Sequence, residues 1–162
     1  MDFVRLIEKD EQIKEMSLMA TEIVREHYDP IIGVEQNDYM LEMFQSEDAI
    51  RKQLDHGYRY YFVREGERNV GFMAFFPRDN AMYLSKLYLY KSERGKGFAR
   101  HMVDFVREEA GNEGLTGVEL NVNKGNPSCL IYEKMGFKMI RAEKNDIGNG
   151  FYMDDYVYRL EI

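Results

Sequence analysis

Apolar residues recur at spacings of three and four in Ile13, Met16, Met19, Ala20, Ile23 and Val24, so the segment after Asp10 reads as an amphipathic helix. Asp10 is expected to cap it, with Glu11 in the first turn. Tyr28-Asp29-Pro30 is expected to end it, because the residue before a proline is pushed out of helical geometry. A short apolar stretch from Phe3 to Ile7 reads as a preceding strand. Residues 31–44 read as a loop plus a short helix, and Ser46-Glu47-Asp48 opens another helix, Ala49 to about His56, stopped by Gly57. From Tyr58 the period becomes strand-like. Tyr58–Arg64, Val70–Phe76 and Met82–Tyr90 are rich in aromatic and β-branched residues, and polar turns between them predict an antiparallel meander. A helix follows from Phe98 to about Ala110, then a strand alternating Val118, Leu120 and Val122. Asn126-Pro127 opens a last helix that Gly136 closes. Phe137–Ala142 and Phe151–Leu160 complete the sheet, joined by a turn over Asn145–Gly150.

Helices and strands interleaved within one chain predict the α+β class. The expectation is a single domain over residues 1–162, with one mixed, mostly antiparallel sheet flanked by helices on both faces. With 44% hydrophobic and 14% aromatic residues, the chain can build a real core. Its 22 basic against 29 acidic residues give a net charge of −7, which argues against a nucleic-acid partner and leaves room for a cationic one. A single cysteine, Cys129, forms no internal disulfide, and His27, His56 and His101 lie too far apart for metal-ligand spacing, so no metal is expected. The first residues lack a secretory pattern and no apolar run reaches bilayer length, so a cytoplasmic protein without a membrane partner is expected.

Chemistry concentrates in Leu87-Tyr88-Leu89-Tyr90-Lys91-Ser92-Glu93-Arg94-Gly95-Lys96-Gly97-Phe98-Ala99, where a strand runs into a glycine-bearing turn and a helix starts at once. Such a turn aims backbone amides and the positive end of a helix dipole at one point, and glycines let an anion approach them. A Walker loop needs Ser or Thr after Gly-Lys, but Gly97 follows Gly95-Lys96. A dinucleotide fingerprint needs Gly or Ala where Arg100 stands. The structural alternative is a tight turn that uses glycine only for its backbone freedom. The second segment, Asn126 to Phe137, carries an asparagine cap and, one and a half turns on, Tyr132. Taken alone, the two read as an ordinary cap and a half-buried aromatic.

Together, Arg94-x-x-Gly97-x-Ala99, then Asn126, then Tyr132-x-x-x-Gly136-Phe137 resemble the GCN5-related N-acetyltransferase (GNAT) superfamily. The match is specific from Leu87 to Phe137 and topological before Tyr58, and Lys91 stands where many members carry proline. The resemblance implies that acetyl-CoA is the cosubstrate. The turn Arg94, Gly95, Lys96, Gly97, Phe98 and Ala99 would hold its pyrophosphate, and the strand Leu87-Tyr88-Leu89 and Asn126 its pantetheine arm. Tyr132 would protonate the departing thiolate, a role suited to a hydroxyl with a reference pKa of about 10. An amine would attack directly, with a strand amide stabilising the oxyanion. Glu119, on a strand near that site, is the candidate base, with a solvated strand-face acid as the alternative. Asp154 and Asp155 would draw a cationic substrate or stand as edge charges. Cys129 reads as a packed residue, since direct transfer needs no acyl-enzyme.

The acceptor expected is a small cationic amine. The alternatives are a protein N-terminus or lysine acceptor and, in another class, a non-catalytic acyl-CoA-binding module. The pocket is expected from residues 31–44, the 145–150 turn and the ends of the central strands. The aromatic C-terminal strand, with Phe151, Tyr152, Tyr156 and Tyr158, is compatible with a homodimer contact.

Overall fold

The computed structural model describes all residues, Met1–Ile162. In chain order the elements are β1 (Asp2–Arg5), α1 (Asp10–Ile32), α2 (Val34–Gln45), α3 (Glu47–Asp55), β2 (Arg59–Glu65), β3 (Arg68–Arg78), β4 (Ala81–Leu89), α4 (Phe98–Asn112), β5 (Gly117–Asn123), α5 (Ser128–Lys134), β6 (Lys138–Gly148) and β7 (Phe151–Glu161). A single 3-10 turn, Lys91–Glu93, lies between β4 and α4. The strands form one mixed seven-stranded sheet in the order β1-β2-β3-β4-β5-β7-β6, an α+β fold with five α-helices. Contacts divide the chain into two compact units, Met1–Phe76 with Lys86–Ala99, and Pro77–Ser85 with Arg100–Ile162.

In the first unit β1, β2 and β3 pair antiparallel, with a bulge between Val63 and Arg64. The apolar stripe of α1 forms the core as its spacing predicts. Ile13, Met16, Met19, Ala20 and Ile23 pack with Leu6, Ile50, Tyr60, Phe62, Phe72 and Ala74. Burying a side chain such as Met16 stabilises by about 1.5–3 kcal/mol.

Three expectations fail in this unit. Asp10 is the first helical residue rather than the cap, and its carboxylate goes to Arg51 on α3 at 2.6 Å. Pro30 does not end α1, which runs on to Ile32 and a cap at Gly33. The cause is tertiary. The buried Asn37 donates its Nδ2 to Val24 O at 3.3 Å and to Asp29 Oδ1 at 2.7 Å, pinning the turn that the proline would loosen. Lastly, 34–45 is one full helix where a loop plus a short helix is expected, because its buried stripe is Asn37, Leu41 and Gln45. That is helical spacing with only one apolar member, which hydrophobic periodicity misses. The Ser46 cap does hold, its hydroxyl accepting from Ala49 N at 3.2 Å.

In the second unit the start of β4 pairs parallel with β5 through Ala81–Tyr83 and Gly117–Glu119, a geometry that needs the α4 crossover. β5, β7 and β6 pair antiparallel. Here β6 runs to Gly148, so Asn145, Asp146 and Ile147 belong to a strand and not to the expected turn. Only Asn149 and Gly150, both at positive φ, make the hairpin connection. Nearly every residue of β6 is exposed, and as the last strand of the sheet it carries alternating charges instead of an apolar period. On β7 Tyr156 and Tyr158 meet edge-on with ring centroids 6.5 Å apart, Tyr158 being buried and Tyr152 exposed. No helix is long and apolar enough to cross a membrane.

Candidate active site

In the first unit β4 reaches the glycine turn against a close neighbour. A Cβ on Gly71 of β3 would lie 2.2 Å from Tyr88 O, so only glycine lets β3 approach β4 there. An isolated glycine inside a strand is the sequence signal for such an approach, and Gly71 carries it. Beyond Leu89, α1 holds the turn with residues one helical turn apart. Tyr90 Oη donates to Glu22 Oε2 at 3.0 Å, Lys91 N donates to Glu26 Oε1 at 3.2 Å, and Arg94 Nη1 lies 3.2 Å from His27 Nδ1. Burial, with Glu22 beside it, pushes the Tyr90 hydroxyl up to about 12. Glu22, Glu26 and His27 were not legible as site residues, because an acidic polar face on a helix reads as solvated.

The turn itself presents backbone rather than side-chain charge. Gly95 and Gly97 sit at φ +78° and +85°, and nothing lies within 4 Å of where a Cβ would be. The amides of Gly95, Lys96 and Gly97 donate to no backbone carbonyl. The first amides of α4 also have no intrahelical acceptor. The expected cations are engaged elsewhere. Arg94 Nη2 donates to Leu89 O at 3.3 Å, and Lys96 Nζ pairs with the buried Glu93 at 3.3 Å, where Arg68 also binds. A bare, glycine-bounded set of amides at the start of a fifteen-residue helix fits a pyrophosphate.

In the second unit Asn126 is buried one residue before the N-cap position of α5, which Pro127 takes, and its Oδ1 accepts from Ser128 N, the first residue of the helix, at 2.9 Å. Tyr132 is 9% exposed and packs edge-on against Phe137, with ring centroids 5.6 Å apart, so the tyrosine and phenylalanine of the motif touch. Gly136, at φ +101°, makes the turn between them. Glu119 lies on β5, but Arg159 Nη1 donates to its Oε2 at 2.6 Å, leaving Oε1 as the open oxygen. Asp154 is paired with Lys124 at 3.0 Å, whereas its neighbour Asp155 is buried, forms no ion pair and feels the Lys124 charge only at a distance. Burial raises the Cys129 thiol, which keeps it protonated and unreactive. His56 meets Lys52 O at the end of α3, and His101 is exposed on α4. No group of three or more His, Cys, Asp or Glu residues is arranged to hold a metal ion.

The chain matches the family described as acetyltransferase (GNAT) domain over residues 24–159. Among solved structures it is similar to PaiA N-acetyltransferase from Thermoplasma acidophilum in complex with coenzyme A, at 17% identity and TM-score 0.77, covering 100% of both chains. It is also similar to a GCN5-related N-acetyltransferase from Rhodopseudomonas palustris, at 12% identity and TM-score 0.82, covering 99% of this chain and 95% of that one. An aminoglycoside 6'-N-acetyltransferase complexed with coenzyme A matches at 13% identity and TM-score 0.66, covering 99% and 97%. At these identities the likeness is one of fold. No curated protein sequence matches.

Proposed function

We propose, from the premise that this chain belongs to the GNAT acetyltransferase family, that it is an acetyl-CoA-dependent N-acetyltransferase whose acceptor is a small cationic amine. The observation that carries the reading is the bare amide turn from Gly95 to Ala99, where glycine conformation and an open face leave backbone donors for a pyrophosphate. When bound, acetyl-CoA supplies an activated acetyl thioester. The residues do the rest. The turn amides hold the phosphates, with Arg94 and Lys96 shaping the loop. Leu87, Tyr88 and Leu89 offer strand backbone to the pantetheine arm, and Asn126 adds a contact while holding the first amide of α5. Tyr132 Oη gives a proton to the departing sulfur. Glu119 takes the amine's proton through Oε1, the oxygen that Arg159 leaves open, or through an intervening water.

The net charge of −7 and the buried Asp155, which forms no ion pair, favour a small cationic acceptor over a peptide. The test is thiol release from acetyl-CoA with a panel of di- and polyamines beside a panel of peptides. Turnover with the amines is expected, and reaction with peptides alone would overturn the acceptor class.

A further inference from the structure

The second unit holds a cleft of about 470 Å³, lined among others by Tyr83, Glu119, Asn121, Arg141, Glu143 and Asp155. That volume lies in the range of small-molecule sites. The charges around it are not equivalent. Glu119 is neutralised by Arg159 at 2.6 Å and Glu143 by Arg141 at 2.7 Å. Arg78 lies over the Tyr83 ring, 3.8 Å from its centroid, and Asp79 stands exposed in the turn before β4. Asp155 differs from all of these. It is 3% exposed, it forms no ion pair, and its one hydrogen-bond donor is Asn121 Nδ2 at 3.4 Å. Asn121 is held in turn by Tyr83, whose Oη donates to its Oδ1 at 2.9 Å. The Asn121 amide is therefore oriented with its nitrogen toward Asp155. A buried carboxylate needs a cation or several strong donors, and this one has a single long hydrogen bond.

We infer that this cleft is a binding site for the primary ammonium group of a small organic cation, with Asp155 as its charge partner and Asn121 and Tyr83 fixing the orientation. Burial also raises the Asp155 carboxyl above its ordinary value, the expected state of a carboxylate waiting for a cation. That the cation is the acetyl acceptor rests on the function proposed above; the cation site itself does not. A diamine would leave one charged ammonium on Asp155 and offer its other nitrogen, deprotonated, for transfer.

Titration calorimetry of the whole chain with 1,4-diaminobutane, against 1,4-butanediol as the uncharged control, tests the site without acetyl-CoA. Saturable binding of the diamine alone is expected, weakened about tenfold or more in Asp155→Asn. Amide spectra of the wild type place the site independently, in case that variant fails to fold. Shifts should fall on Asn121, Glu143 and Asp155. Equal binding of diamine and diol, unchanged affinity in a folded Asp155→Asn protein, or shifts confined to other residues would overturn the inference. Diamine bound at Asp155 without thiol release in the presence of acetyl-CoA would support the cation site and overturn the proposed acceptor. Thiol release with amines while the cleft stays silent would do the reverse.

Discussion

Tyr132 and Lys86 carry the sharpest expectations at the scale of single residues. Tyr132 is buried against Phe137, so Tyr132→Phe removes one hydroxyl with little change in packing. Acetyl-CoA binding should survive while turnover falls by roughly 10²–10⁴-fold, the usual contribution of a positioned acid. Thiol-release kinetics beside a melt with cosubstrate measure the two separately, and unchanged turnover would remove Tyr132 from the chemistry. Lys86 is buried in the first unit with only neutral oxygens about it. Its Nζ meets Phe44 O at 2.6 Å, Gln53 Oε1 at 2.9 Å, Gln45 Oε1 at 3.0 Å and the Tyr60 hydroxyl. Desolvation lowers its pKa well below the ordinary lysine value. Between that lowered value and about 10.4, the unfolded chain binds more protons than the folded one, so stability rises with pH in that window. Denaturant unfolding from pH 7 to 9.5 should show the rise in the wild type and lose it in Lys86→Met. Parallel profiles would mean that Lys86 is charged in both states.

Among the elements, the junction of β3, β4 and α4 decides whether a cosubstrate site exists. Gly97 adopts a conformation that side chains rarely tolerate, with open space above it. Gly97→Val should therefore strain the turn and cover its amides, removing most of the stabilisation by acetyl-CoA in a thermal melt. A variant that keeps the full shift would reduce the turn to a plain connection. Gly71 acts from beneath. Its Cβ would sit 2.2 Å from Tyr88 O, so Gly71→Ala must push the two strands apart, costing about 1–3 kcal/mol. An unchanged unfolding midpoint would show that the strands yield freely. Both glycines are visible in the sequence, yet only Gly97 belongs to a recognisable motif. Gly71 becomes important through the strand beside it.

For the whole molecule, the expected unit of folding is one domain over residues 1–162. It should melt in one calorimetric transition, and two resolved transitions would separate the unit containing α1 from the unit containing α5. Acetyl-CoA at a hundred times its dissociation constant should stabilise by about 2.7 kcal/mol, raising the midpoint by roughly 5–10 °C for a chain of this size. No shift at millimolar acetyl-CoA would overturn the cosubstrate assignment.

The sequence by itself determined those parts whose signal is local. The α1 stripe at spacings of three and four, the Ser46 cap, the glycine turn at 94–99, and the Asn126, Tyr132, Gly136 and Phe137 motif all stand where the chain alone put them. Each depends on neighbours within a turn or two of helix, which is the reach of capping, periodicity and backbone conformation. Only the tertiary structure decided the remainder. Pro30 stays helical because Asn37, seven residues on, holds its turn. The helix α2 hides behind two buried polar residues, and β6 extends through charges that an edge strand can leave in water. Glu119 reads from the sequence as a base or a solvated strand-face acid, and Arg159, forty residues away, takes one of its oxygens. Asp155 reads from the sequence as a partner for a cationic substrate or as an edge charge, and only the fold buries it at the wall of a cleft. Burial and charge pairing are set by residues distant in sequence, so a carboxylate's chemistry is fixed only when its neighbours arrive.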